Sequence, residues 1–591
     1  MLALGMAVLA ATSPAQVTER VSVTHTGSQA GFGGELPVPP SNSVSADGRF
    51  VAFMSPAADI VPGDTNGAWD VFVRDRLNRT TERVSVSSNG GQANAHSGGW
   101  GLAMSRDARF VVFQTDSTNL VPGGTNGAWH IILRDRLNGT TELVSVDSNG
   151  VQGNGGCFHP VVTDDGRYVA FSSLASNLVP GDTNNTADIF VHDRVTGATE
   201  RISVSSGGSQ SNGTSEYASI TPDARFVSFD STATNLVSGD TNAHYDTFLR
   251  DRLTGSTELV SASSAGQLGN GDSAQASLSA DGRYVSFLST ASNLIASDLN
   301  SAWDVFVRDR SSGTTELVSC SSNGAQGTAN AQYPVLSPDG RFVAFRGVFP
   351  LPSPASGIWI RDRQLGTTEY ASYCYDGSIP GQGADVPSIS PDARYIVFRS
   401  TSPDLVPNDT NANTDVFLYD RYASSFTSIC DPLDAAVLDC PCNNPPASPG
   451  RGCDNSSATG GAMLAASGVA SLSADTLAFS TTGEKPNATS ILLEGDSVLA
   501  SGAPFGQGVR CVGGTLRRLY TKTAHNGAVL VPDLAASDPT VSARCAQLGV
   551  AITLGETRVF LVYYRDPLVL GGCAATSTYN ATQSGTVVYA P

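Results

Sequence analysis

Short runs of β-branched and aromatic residues, partly alternating with polar ones, return at a steady interval over residues 17–430. In the first unit they are SNSVS (41–45), RFVAFMS (49–55), DVFVRDR (70–76) and TERVSV (81–86), each bounded by Gly, Asp, Asn, Ser or Pro. Runs of this length and period predict strands, and no long amphipathic helix competes with them. The hexapeptide SADGRF at 45 recurs at 105, 163, 221, 279, 337 and 390 as SRDARF, TDDGRY, TPDARF, SADGRY, SPDGRF and SPDARY. The steps between these starts are 60, 58, 58, 58, 58 and 53 residues. A four-stranded meander cannot bury both of its faces alone, so each unit must stack on its neighbours, and radial closure does this without long exposed edges. The expected fold is therefore all-β: a seven-bladed β-propeller over 17–430, a Pro/Cys-rich linker over 431–455, and a smaller β-sandwich-like domain over 456–591. Within that last segment DTLAFST, SILLEG, TLRRLYTKT and TRVFLVYYRDP read as strands.

Three features recur in every unit: a turn Asp (47, 107, 165, 223, 281, 339, 392), an Arg two residues on, and an Asp-Arg pair ending the third strand, from Asp75-Arg76 to Asp420-Arg421. A catalytic site needs unlike groups converging once, whereas a turn cap or an inter-blade ion pair is needed in each blade, so these positions read as structural. Ala at 108, 224 and 393 stands where other units carry Gly, which suggests that a positive φ is not compulsory there. A glutamate of the fourth strand appears at 19, 82, 142, 200, 258, 316 and 369, while the stretch after Arg421 lacks one. The count assigns residues 17–24 to the last blade as its outer strand, closing the ring.

SPDGRFVAF followed by a loop and D(V/I)F(V/L)RD resembles the TolB-type, WD-repeat-like propeller motif over about residues 20–430. The resemblance implies the propeller fold and leaves activity open, because such propellers include periplasmic protein-binding platforms, peptidase gating domains and glycan-processing enzymes. The pattern CPCNN…GRGCDNSSATGGA, PFGQGVRCVGG and FLVYYRDP resembles an uncharacterised module at the ends of exported bacterial proteins.

Charge removes one class of partner. The net charge is -19, and only Lys485 and Lys522 accompany arginines that mostly sit beside an aspartate, so no unneutralised cationic face for nucleic acid is expected. Residues 2–12 form an apolar run too short to span a bilayer, and Ser13-Pro14-Ala15 offers small residues for cleavage, so 1–15 reads as a secretory leader. No later stretch is apolar enough to span a membrane. Ten cysteines suit an oxidising compartment, and seven of them follow the repeats. Cys440, Cys442 and Cys453 lack a histidine or second Cys pair at zinc-ribbon spacing, which points to disulfides, and the short Pro/Gly-rich loop between Cys442 and Cys453 predicts a bridge between those two.

No metalloprotease helix, nucleophile elbow or phosphate loop is present. Paired carboxylates for glycoside chemistry are an option in so acidic a chain, since their separation is not a sequence property. His96, Trp100 and His159 are the isolated candidates for catalysis or sugar stacking, with a loop role as the plainer reading. Tyr563 and Tyr564 are candidates for sugar binding, against a core-strand reading. The long Asn/Asp/Gly/Ser-rich loops, those from second to third strand and those joining blades, emerge on one face, where a ligand is expected. They carry Asp-x-Asn-x-x-x-Asp at Asp64/Asn66/Asp70, Asp182/Asn184/Asp188, Asp240/Asn242/Asp246, Asp298/Asn300/Asp304 and Asp409/Asn411/Asp415. The oxygen chemistry suits calcium, and loop capping without metal is the competing reading; in unit two Gly124 and His130 replace both aspartates together. The function expected is an exported non-catalytic protein that binds protein or envelope glycan on this face, without an obligatory cofactor. The alternative is a propeller hydrolase or lyase acting on polysaccharide or peptide. Axis-lining residues separate the two: a unique cluster of acids, His or Tyr at the channel mouth favours the enzyme, and a sevenfold-alike lining favours the scaffold.

Overall fold

The computed structural model describes residues 18–589 apart from 39–41, 297, 301, 351–353, 376–377, 422–426, 431, 433–436, 449–450, 468–469, 471–474, 476, 534–537, 554–555 and 569–577. The leader expected at 1–15 lies outside the described residues. The chain divides into two compact units, one of them Thr18–Arg421 and the other taking in the chain from Tyr422 onward.

Among the described residues, Thr18–Arg421 contains seven antiparallel sheets, in six of which the strands follow one another in meander order. In blade two they are Ser97–Met104, Phe110–Thr115, His130–Asp135 and Thr140–Leu143, and blades three to six repeat this arrangement. Blade one shows three strands, Phe50–Ser55, Asp70–Asp75 and Thr80–Arg83, with an inner segment held by the Val44–Val51 bridge. In blade seven, Ala384–Ile389, Tyr395–Ser400 and Asp415–Asp420 are joined by Thr18–Arg20, with Thr18 opposite Tyr419 and Arg20 opposite Phe417. The N-terminal strand thus clasps the last blade. The innermost strands of successive sheets pack side by side, and blade seven shares a core with blade one through Val386, Val397, Val416, Val44 and Val51. This is a β-propeller.

Alternation along the strands builds the blade core. The fourth residue of the second strand meets the third of the third strand as a stacked pair of buried phenylalanines: Phe53 on Phe72, Phe171 on Phe190, Phe229 on Phe248, Phe287 on Phe306 and Phe398 on Phe417, with ring centroids 5.7–6.1 Å apart. Burying each such ring contributes about 2–3 kcal/mol.

The recurrent charges work as expected of structural positions. Arg49 grips Asp75 with two parallel bonds within blade one, and Asp75 also caps the following turn through Asn78. The arginine after that aspartate reaches backward across the blade boundary, pairing Arg76 with Glu19, Arg136 with Glu82, Arg194 with Glu142, Arg252 with Glu200, Arg310 with Glu258, Arg363 with Glu316 and Arg421 with Glu369. Each of these guanidinium groups also lies over an aromatic ring of the preceding blade; Arg136 sits 4.7 Å above Phe50. Its Nη1 donates to the Ala108 carbonyl. An exposed ion pair alone contributes little, but the planar fork combines it with stacking and a backbone bond. Arg136→Ala is expected to destabilise the protein by about 1–2 kcal/mol, with Arg136→Lys recovering only part. Urea unfolding checks this, as a lowered midpoint at unchanged slope.

The turn expectation is corrected. Ala108, Ala224 and Ala393 adopt φ of 59°, 55° and 52°, beside 68° at Gly48, so the positive φ is kept in the alanine copies. Ser105 Oγ donates to Asp107, which also accepts from the Arg109 N–H. This network and the complete burial of Ala108 hold the residue in the left-handed region despite its cost.

The second unit is also almost all β. A six-stranded sheet runs Thr427–Ile429, Ser584–Val588, Thr557–Arg565, Thr489–Gly495, Arg517–Thr523, with Tyr579–Ala581 beside Thr557–Arg565. A three-stranded sheet of Met463–Ser467, Ala478–Thr482 and Val529–Val531 shares one apolar core with it through Leu464, Phe479, Leu492, Phe560 and Tyr564. Thr427–Ile429, placed above at the end of the propeller, therefore belongs to this sheet. Tyr564 is buried and its hydroxyl accepts from Asn455, while Tyr563 meets Phe505 and Tyr579 edge to face, so both fill core positions. Disulfides join Cys430 to Cys511 and Cys440 to Cys453. The expected Cys442–Cys453 bridge is not formed; Cys442 is disulfide-bonded, but not to Cys453. Cys157, Cys320, Cys374 and Cys545 are buried free thiols. Among the described residues no helix is long and apolar enough to cross a membrane.

Candidate ligand site on the long-loop face

The two sets of long loops meet. In blade one, Gln92 of the connection to blade two donates from Nε2 to Asp64 Oδ1 at 2.7 Å and accepts from Thr65, in the loop between second and third strands. Asn66 Nδ2 donates to Asp70 Oδ2 at 2.9 Å, and Arg83 Nη1 lies 3.3 Å from Asp64 and 3.5 Å from Asp70. Blade three repeats this with Gln210, Asn184 and Arg201 on Asp182 and Asp188, and blade seven with Gln29, Asn411 and Arg20 on Asp409 and Asp415. In blade five Gln326 bonds Asp298 and Asp304 at 2.9 and 2.7 Å while Asn300 donates to the Gly327 carbonyl. Blade two replaces the aspartates with Gly124 and His130, and His130 bonds Ser145 and Asn126 instead. Each Asp-x-Asn motif thus knots its loop to the next inter-blade connection. Among the described residues no three His, Cys, Asp or Glu side chains converge as ligands for a metal.

Nearer the axis a cavity of about 500 Å³ opens between blades seven, one, two and three. Its walls are Trp69, Trp129, Phe158, Met54 and Leu36, with polar groups from His96, Gln114 and the Glu35–Arg399 pair. Local sequence makes the room. Gly98 and Gly99 of the SGGWG strand have φ of 100° and 57°, and a Cβ on them would stand 2.4 Å from Met54 Sδ and 2.6 Å from Gln114 Nε2. Phe32, from the long segment between the first clasp strand and blade one, meets Trp69 edge to face at 6.2 Å.

Polar groups at this cavity are few and fixed. His96 Nδ1 accepts from the Trp69 backbone N–H at 3.2 Å, which places the neutral ring's proton on Nε2 as a donor. Gln114 is 2% exposed, and its Oε1 has no hydrogen-bond partner. Arg399 is neutralised from two sides, by Glu35 and by Asp385 at 2.7 Å. The cavity therefore offers aromatic faces and one imidazole, with the Gln114 amide buried in its wall and the Arg399 cluster, one cation between two carboxylates, at its edge.

The sevenfold likeness ends at the axis. The fifth residue of the second strand is Met54, Gln114, Ser172, Asp230, Leu288, Arg346 and Arg399 in successive blades. A β-bulge in the first strand places His159, Tyr217, Gln275, Tyr333 and Val386 at positive φ. His159 stacks on Tyr217 with centroids 4.3 Å apart, and burial pushes its imidazole down to about 4, so it is neutral. Asp230 is fully buried; its carboxyl accepts from the Gln275 N–H and Thr247 Oγ1, and burial holds its pKa well above the usual carboxylate range. Burial also raises Glu216.

Of the three isolated candidates, His96 and the neighbour of His159, Phe158, reach the cavity, while His159 itself joins the axial stack. Trp100 lies in the strand Ser97–Met104, and its side chain is outside the described residues. Trp69, Trp129, Gln114 and Phe158 were not singled out from sequence. Their signal was variation at a fixed place in the repeat: the position before Asp70 and its counterparts reads Trp69, Trp129, Ala187, Tyr245, Trp303, Ser356 and Thr414.

No protein-family model matches the chain, and no curated protein does. Solved structures do. TolB from Acinetobacter baumannii matches at 18% identity and TM-score 0.33, covering 55% of this chain and 63% of that one. The β-propeller domain of the Trilobed protease from Pyrococcus furiosus matches at 9% identity and TM-score 0.40, covering 66% and 94%. The GH74 xyloglucanase from Xanthomonas campestris matches at 10% identity and TM-score 0.36, covering 71% and 58%. This chain spans less than two thirds of the Acinetobacter protein and of the xyloglucanase.

Proposed function

We propose that this chain is an exported, non-catalytic binding protein whose long-loop face holds a neutral glycan, with the terminal unit as an accessory module. The observation that carries the reading is the aromatic cavity between Trp69, Trp129 and Phe158. Sugar rings present apolar C–H faces to aromatic walls and hydroxyls to a few fixed polar groups, and His96 supplies one of these. A net charge of -19 disfavours an anionic polymer at the same face. The axis lining is not sevenfold alike and gathers His159, Tyr217, Glu216 and Asp230, which by the criterion set out above speaks for the alternative, a propeller hydrolase or lyase. Against catalysis stands the geometry of the acids: Asp230 has no exposed surface and both its oxygens are engaged, so it does not form with Glu216 a carboxyl pair open to substrate. Disulfides in the described residues support export.

The expected result is binding of neutral oligosaccharides in a calorimetric screen of the full chain. Trp129→Ala is expected to weaken it by about tenfold or more, the loss of one aromatic wall, while Trp303→Ala in blade five leaves it unchanged. Binding confined to peptides, or equal loss in both variants, would overturn the reading.

A further inference from the structure

Blade four departs from the other Asp-x-Asn loops in one respect. The register that places Arg83 opposite Phe72 places Leu259 opposite Phe248, and the bridge that holds Gln92 against Val86 holds Leu268 against Ala262. Blade four has therefore lost both the guanidinium and the amide that lie on the aspartate pair in blades one, three and seven, and blade five has lost only the first. Where blade two lacks the arginine, at Leu143, it lacks both aspartates too. Blade four keeps both.

The consequence is an unbalanced site. Asp246 is fully buried, with Oδ1 accepting from Ser261 at 2.7 Å and Oδ2 from Asn242 at 2.8 Å. Asp240 is 7% exposed, and its Oδ1 has no partner. The nearby His244 is turned to Asp272, 3.0 Å away. Two buried carboxylates with leucine at the register positions that hold arginine and glutamine elsewhere are costly unless a cation or a proton joins them.

We infer that the blade-four loop binds a hard divalent cation through Asp240 Oδ1 and Asp246 Oδ2, in the place that arginine and glutamine fill in blades one, three and seven. With only two protein carboxylates, the ion keeps much of its water, and affinity falls in the weak range of extracellular calcium modules, about 10⁻⁴–10⁻³ M. The inference is independent of the glycan reading, because the cavity walls come from blades seven, one, two and three. Calcium titration of the full chain by calorimetry, with melting in chelator and in millimolar calcium, tests it. Expected are one weak site and a melting temperature about 1–3 °C higher in calcium. Asp240→Asn should weaken binding about tenfold or more, and Leu259→Arg with Leu268→Gln should abolish it while melting as the wild type does in calcium. Identical melts in chelator and calcium, or calcium binding that survives both variants, would overturn the inference.

Discussion

Deleting residues 18–24 is expected to destabilise the propeller by about 5 kcal/mol or more, lowering its melting temperature by about 6 °C or more. The segment supplies two buried valines, Val21 and Val23, and, through Thr18–Arg20, an edge partner of Asp415–Asp420. It also carries Arg20, which stands 3.1 Å from Asp409 and 3.6 Å from Asp415, two acids that are left buried without a cation once it is gone. Truncation of an unpaired terminus would cost a few tenths of a kcal/mol at most. Scanning calorimetry of the full chain and of the chain begun at residue 25 separates the cases. An unmoved propeller transition would mean that the ring closes without its clasp. Arg20→Leu, which copies the residue of blades two, four and five, should reproduce the ionic part of the loss alone.

Removing the Cys430–Cys511 bridge should be the larger of two disulfide effects in the terminal unit. It closes 81 residues, against 13 for Cys440–Cys453. Chain-entropy reasoning gives about 4–5 kcal/mol for the longer loop and about 3 kcal/mol for the shorter. Cys430→Ala with Cys511→Ala, set beside Cys440→Ala with Cys453→Ala in urea, tests the order; a greater loss from the shorter loop would show that native packing, and not the unfolded chain, dominates.

Repetition made most of the fold legible. Seven copies of the turn and of the Asp-Arg pair give the blade, and the surplus glutamate at position 19 assigns the clasp, which Thr18–Arg20 forms opposite Tyr419, Leu418 and Phe417. Repetition was also what misled. Ala108 looked like proof of a relaxed turn, yet the Ser105–Asp107–Arg109 network imposes the same backbone on it. The cysteine pairing was beyond reach for a different reason. Loops closed from Cys440 or from Cys442 to Cys453 differ by two residues, a difference of about 0.1 kcal/mol in closure entropy. Local structure beside the bridge is not written in that loop length: Asn443 turns the chain at φ 52°, and Asn444 donates to the Asp454 and Gln507 carbonyls. The candidate site was least legible because it is made of exceptions. Trp69, Gln114 and Phe158 lie far apart in sequence, and only the ring brings the differing member of each repeat to one mouth.

The bridge from Arg76 to Glu19 has the same partners, stacking and geometry class as the six that join the other blades. The seam where the chain meets itself thus carries the same arginine bridge as each internal joint, and the break in the polypeptide falls inside a blade. A gene that gained or lost a whole repeat would still present matching ends, so copy number could drift without redesign of the closure. What would resist such drift is the one place where the repeats have stopped being interchangeable, the mouth of the ring.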